Sequence, residues 1–241
     1  MGLKSFLPDV GRRNEAARLA WLERSLREIP AGSRLLDAGA GEQKLRKLCG
    51  HLRYVAQDLA QYDGRGNSAG LHSGGVNYGK LDIVSDIASI PEPDSSFDAI
   101  MCTEVLEHVS DPGTAIREFA RLLRPGGMLI LTAPFASLTH MAPYHFSTGF
   151  NKYFYQTMLG NNGFDIVEIV ANGNYFEYLA QELYRVRSIS QRYCGRSLRV
   201  WDYGALFALV CLLRRCSRTD SGSSELLCHG YHVRALKKAN R

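Results

Sequence analysis

The residues best suited to chemistry begin with Asp37-Ala38-Gly39-Ala40-Gly41, an acid at the end of a short apolar run with two glycines directly behind it. Glycine lets the backbone turn sharply and approach a ligand with no Cβ in the way. Ligands of open α/β sheets bind just beyond the carboxyl ends of the strands. A dinucleotide site of the G-x-G-x-x-G type needs a third glycine so that a helix can pack beside a pyrophosphate, and that position is Lys44. A nucleoside ligand without a pyrophosphate fits the turn better. Asp58 follows 17 residues after Gly41, at the end of a second apolar run, with Leu59 next to it. A carboxylate placed there can accept both hydroxyls of a ribose; its plainer alternative is a strand cap. At Asp86-Ile87 the acid can accept from an adenine amino group, and the following amide can donate to the ring.

A second group of residues could move protons. His108, His140 and His145 are the candidate acid–base side chains, with Tyr144 as an auxiliary donor. Group transfer to an oxygen requires the hydroxyl proton to leave, and an unperturbed histidine, with a pKa near ~6.5, is a usable base at neutral pH. His145 is the first choice and His108 the second; His140 and Tyr144 are read as acceptor contacts. Each has a structural alternative, most clearly His108, which stands beside Glu107 at a helix start. Thr103 and Glu104, at the end of the fourth strand, are read as binding or orienting groups. The six cysteines show no Cys-x-x-Cys pair and no zinc-type cluster with histidine, so no metal site is expected.

The elements that must position these residues follow from periodicity. A leading amphipathic helix is predicted over 12–28, with strands at 33–37, 54–57, 81–84, 97–102 and 128–132. Helices are expected at 43–49, 111–123 and 151–159. Residues 61–79 are rich in Gly, Asn and Ser and predict a long surface loop. After Pro134 the spacing predicts a strand at 164–170, a mostly helical basic segment at 175–218 and a last strand at 227–236. Alternating strands and helices predict a mostly parallel sheet wound on both faces.

At 241 residues, 45% hydrophobic and 22% charged, the chain suits one folded α/β domain. The formal charge of +5 is unevenly placed: from Glu182 onward there are 12 Lys/Arg against 4 Asp/Glu. That excess is either a solvated helix face or a contact for an anionic acceptor such as a phosphate or lipid head group, with Arg187 its candidate residue. The longest apolar run, 205–213, is about half the roughly 20 residues needed to span a bilayer. It reads as a buried helix or, alternatively, a peripheral membrane contact. The early charges Arg12, Arg13 and Glu15 argue against a signal peptide, and unpaired thiols suggest a cytoplasmic protein.

Over 33–134 the chain resembles the class I S-adenosylmethionine-dependent methyltransferases of small-molecule type. The resemblance rests on the order and spacing of Asp37 to Gly41, Asp58, Asp86, Ser96-Phe97-Asp98-Ala99-Ile100, Glu104 to Val109 and Arg121-Leu122-Leu123-Arg124-Pro125-Gly126-Gly127. It implies a Rossmann-like seven-stranded sheet with an antiparallel last strand and a C-terminal helical insertion, all in one domain. It also implies that Gly39 and Gly41 face the methionine part of the cofactor, that Asp58 holds the ribose, and that Asp86 with Ile87 reads adenine; Asp37, Ala40, Leu59, Thr103 and Glu104 are counted with them as cofactor contacts. Residues 135–226 would then recognise the acceptor, a small molecule or glycan methylated on oxygen. Where this family often has a third glycine, the chain has Gln43. Two other readings are a nucleic-acid methyltransferase, disfavoured because no Asn-Pro-Pro-Tyr, Asp-Pro-Pro-Tyr or Pro-Cys motif follows the fourth strand, and a non-catalytic cofactor-binding module.

Overall fold

The computed structural model describes residues 8–68 and 70–239. Seven strands form one sheet in the order β3-β2-β1-β4-β5-β7-β6: β1 Arg34–Ala38, β2 Arg53–Asp58, β3 Ile83–Val84, β4 Phe97–Thr103, β5 Leu123–Pro134, β6 Phe164–Asn172 and β7 Gly230–Lys237. β1 pairs in parallel with β2 and β4, β2 with β3, and β4 with β5, whereas β7 runs antiparallel to β5. This is a Rossmann-like sheet with its late strand reversed, as the sequence predicts. The chain leaves β1 in one direction to reach β2 and β3 and returns to β4 on the other side. The crevice at such a reversal is where open α/β sheets bind ligands.

The central strands are apolar without alternation because both of their faces are covered. Leu35, Leu36, Ala99, Ile100, Met101, Leu129, Ile130 and Leu131 are all fully buried. Helix α2 (Pro112–Leu122) starts where Asp111 accepts a hydrogen bond from the Thr114 amide and Pro112 fixes the first turn. It buries Ala115, Ile116, Phe119 and Leu122, and each large apolar side chain among them stabilises the fold by roughly 1.5–3 kcal/mol relative to exposure. Arg121, from the motif that closes this helix, pairs with Glu118 and donates to the carbonyls of Ile90 and Glu92. It therefore anchors the Pro-rich connector after β3. On α1 (Asn14–Arg27), Trp21 and Leu22 pack into the core, and the Trp21 indole donates to Glu168 at 3.1 Å.

Backbone contacts divide the chain into two compact units. One comprises Leu19–Val170 and the chain from Gly230 on, and holds the sheet, α2 and α3 (Lys152–Asn161). The other comprises Ala171–His229 and the residues up to Arg18; it contains α4 (Tyr175–Cys194) and α5 (Val200–Arg218) packed together around Val10, Ala180 and Val210. Asn172 ties the second unit internally by donating to the Asn14 side chain at 2.8 Å.

Three expectations change. The helix expected over 43–49 is a single tight turn at Arg46–Leu48, because Gln43 adopts a left-handed φ of +56° and directs its amide elsewhere. β3 shrinks to Ile83–Val84 because Asp82 turns its carboxylate back to the Ala56 amide. β7 begins at Gly230 rather than Leu227: Leu226 is exposed, and a Cβ at Gly230 would lie 2.4 Å from the Ala133 carbonyl oxygen. The pairing of β7 with β5 begins there, with Gly230 opposite Pro134.

Candidate active site

The glycine turn is held by its neighbour strand. The amides of Gly39 and Ala40 both donate to the Gln57 carbonyl, at 2.9 and 2.8 Å, and Gly39 also meets the Gln57 side-chain oxygen at 3.2 Å. Gly39 has φ +77°, and a Cβ there would lie 2.5 Å from Val105, so no other residue fits without displacement. Gly41, also at positive φ, opens onto free space. Its amide donates to Asp58 at 2.8 Å, and the other Asp58 oxygen accepts from the Ala60 amide at 2.8 Å. Each carboxylate oxygen thus keeps acceptor capacity for one more donor. Asp58 is therefore the tether of the turn, as its structural reading expects.

Asp37 is buried and accepts from the Tyr54 hydroxyl at 2.5 Å. Desolvation raises its carboxyl to about 7, against the pull of the Tyr54 hydrogen bond, and the nearby Asp58 charge adds to the rise. Farther along the same edge, Asp86 accepts from the Ala88 amide at 2.8 Å while Ile87 is buried and Leu59 exposed. Glu104, after Thr103 at the end of β4, adopts φ +54°. It is fixed there because its amide donates to the Thr132 carbonyl at 2.8 Å and its carboxylate accepts from the Thr132 hydroxyl at 3.0 Å. The predicted cofactor residues thus line the carboxyl ends of β1 to β4.

The three histidines converge. Ring centroids are 4.6 Å apart for His108 and His140, 4.8 Å for His140 and His145, and 5.9 Å for His108 and His145. The amides of Phe146 and Ser147 donate to the Glu107 carbonyl, which draws the 140s loop against the turn after β4. Hydrogen bonds decide the tautomers. Nδ1 of His108 lies 2.5 Å from the Tyr144 carbonyl and Nδ1 of His140 lies 2.9 Å from the Leu138 carbonyl, so in both the proton sits on Nδ1 and Nε2 carries the lone pair. Ser137 gives its single proton to the Thr148 carbonyl and so accepts from His145 Nε2 at 3.1 Å, leaving Nδ1 of His145 basic. Burial lowers His108 to about 4, helped by the neighbouring His140 and His145, and burial also lowers His145. Tyr144 enters through its backbone carbonyl, a role its side chain did not advertise. Glu107, His108 and His140 bring possible metal ligand atoms within 4.8 Å of one another. Arg187 lies on α4, in the other unit.

Side-chain hydrogen bonds that periodicity does not predict organise the surrounding loop. Gln43 donates to the carbonyls of Tyr78 and Lys80 at 2.7 and 2.9 Å, Tyr78 donates to the Tyr62 carbonyl, and the Tyr62 hydroxyl meets His72 Nδ1 at 2.8 Å. Leu71 bridges His140 in short parallel pairing. The aromatic residues at 62 and 78, inside an otherwise Gly- and Asn-rich stretch, were the available signal. Two surface clefts, of about 480 and 300 Å³, are lined by residues of the helical unit such as Phe176, Asp220, Glu177 and Arg214, and none of the residues above contributes to them.

A glycine turn after β1, an acid after β2 and this strand order define a class I methyltransferase fold. Residues 36–131 match the family described as a methyltransferase domain. It is 42% identical over 113 residues to the ubiquinone biosynthesis O-methyltransferase of Xanthomonas axonopodis pv. citri, a match covering 45% of this chain and 46% of that protein. The chain thus spans about half the length of the curated relatives it matches. The fold is also that of the YcgJ protein from Bacillus subtilis, with TM-score 0.54 and 16% identity over 92% of this chain and 98% of that one. It matches phosphoethanolamine N-methyltransferase 2 of Haemonchus contortus, solved with S-adenosyl-L-methionine, with TM-score 0.51 and 18% identity over 93% of this chain and 53% of that one.

Proposed function

We propose that this chain transfers the methyl group of S-adenosylmethionine to a hydroxyl of a small organic acceptor. The observation that carries the reading is Asp58, whose two oxygens are oriented by the Gly41 and Ala60 amides and face the same strand edge as the histidine cluster. The residues present suit that cofactor: Gly39 and Gly41 leave the backbone bare, Asp58 can accept two hydroxyls, and Asp86 with the Ile87 amide offers an acceptor and a donor to an adenine. When bound, S-adenosylmethionine supplies an electrophilic methyl group.

The chain's own task is then to hold the acceptor and take its proton. His145 Nδ1 is the proposed base, with His108 Nε2 and His140 Nε2 beside it, all three lone pairs fixed by hydrogen bonds to Ser137, Tyr144 and Leu138. A positioned base contributes about 10²- to 10⁴-fold. Burial and the neighbouring His140 lower the His145 pKa from its ordinary value, which favours the unprotonated form. The relative named for ubiquinone biosynthesis supports a small-molecule oxygen acceptor, and hydroxylated aromatics and sugars are the classes to try. The test is transfer of a deuterated methyl group to a panel of such acceptors, followed by mass spectrometry. A product whose mass gain matches one labelled methyl per hydroxyl supports the reading; labelled product on amines alone excludes it.

A further inference from the structure

We propose that the outward face of α5, with the arginine-rich turn before it, docks on an anionic lipid surface. The inner side of α5 is already used: Val210 is buried, with Leu213 against the Val10 and Ala180 cluster. Yet the opposite side is also apolar. Trp201, Ala205, Ala208 and Leu212 recur at the spacing of one helical face, with Leu209 beside them, and all five are exposed. Trp201 is 68% exposed and Val200, next to it, 84%. No charged residue occurs between Asp202 and Arg214. A contiguous apolar stripe of this kind marks an interaction surface rather than a solvated one.

Charge selects the occupant. Residues 186–219 contain seven arginines and a single acid, Asp202. Arg196 and Arg199 precede the stripe and Arg215 and Arg218 follow it, all exposed, while Arg214 is drawn toward Asp9 at 3.6 Å. Aromatic rings sit with the cations at the entry: Arg199 lies over Trp201 at 5.7 Å and Arg192 over the exposed Tyr193 at 5.5 Å. An apolar face with arginines at both ends and Trp and Tyr at the rim is the arrangement of a helix lying in a headgroup layer. The uncharged stretch of α5, 203–213, is roughly 16 Å long at 1.5 Å per residue, about half a bilayer core. No helix among the described residues is long and apolar enough to cross a membrane, so α5 would lie on the surface.

The experiment uses the whole chain with vesicles of phosphatidylcholine, with or without phosphatidylglycerol, and needs neither cofactor nor acceptor. The chain has two tryptophans, and Trp21 is buried, so the exposed Trp201 reports on docking. The expected result is a blue shift, and quenching by brominated lipid, only with phosphatidylglycerol present, both lost in Trp201→Phe. Leu209→Gln and Leu212→Gln should each weaken partitioning roughly tenfold or more, and Arg192→Gln and Arg196→Gln roughly fivefold each, with unchanged circular dichroism. An absent response, or an equal response to phosphatidylcholine alone, overturns the proposal. So does a lipid-free dimer whose Trp201 is already shielded, because a second copy would then be the occupant.

Discussion

Single residues carry the argument for this site, and two of them make sharp predictions. Gly39 has no room for a side chain, since its Cβ would meet Val105 at 2.5 Å. Gly39→Ala should cost about 1–3 kcal/mol of stability from strain and overlap. Pairing it with Val105→Ala should return the part due to overlap but not the part due to the φ of +77°. Urea denaturation of the single and double variants checks this, and equal stability of Gly39→Ala and the parent protein refutes the packing. For catalysis, His145→Ala should lower the maximal rate by about 10²-fold or more with cofactor affinity retained. The sequence alone sets the acid limb of the wild-type rate near the ordinary histidine value of ~6.5. Burial and the neighbouring His140 move His145 lower, so the rate should rise with pH through an apparent pKa below 6.5 and be flat at neutral pH. A limb centred above 6.5 would assign the base elsewhere.

At the scale of elements, what was legible in the sequence was what local pattern determines. β1, β4 and α2 were readable because burial on two faces or one stripe writes continuous or helical apolar spacing, and because Asp111-Pro112 is a helix start by itself. The glycine turn and the acids after β2 and β3 were readable because their backbone and charge requirements are local. The helix expected at 43–49 failed for a tertiary reason: Gln43 is held in a left-handed conformation by two carbonyls more than thirty residues away. A glycine at that position would take the same backbone without strain, but could not clamp the loop. Gln43→Ala is therefore expected to speed amide hydrogen exchange in 76–80 severalfold and leave α2 unchanged; identical exchange in that loop would show that the clamp is idle. The convergence of His140 and His145 on His108 was likewise invisible to periodicity, because it depends on Phe146 and Ser147 donating to the Glu107 carbonyl.

For the molecule as a whole, buried titratable groups set the pH dependence of stability. Asp37 is raised to about 7, so its contribution is full below its ordinary value and is lost as pH rises to 7. His108 and His229 are both lowered to about 4, chiefly by desolvation, so theirs is full above ~6.5 and is lost as pH falls toward 4. Counting these three groups alone, between these limits the unfolded chain holds two extra histidine protons and lacks one on Asp37. Stability should therefore fall on acidification by on the order of 1 kcal/mol per pH unit. Asp37→Asn, which removes the opposing group and can still accept from Tyr54, should about double that slope in denaturation curves from pH 6.5 to 4.5. An unchanged slope would mean that Asp37 is ionised throughout. The central claim, that the carboxyl edge of β1 to β4 is an S-adenosylmethionine site built on Asp58, is tested most directly by calorimetric titration of that cofactor into the parent protein and Asp58→Ala. Saturable binding by the parent and a loss of about 2 kcal/mol or more in the variant, roughly 25-fold or greater in Kd, are expected; equal affinity in the two proteins would rule out this assignment.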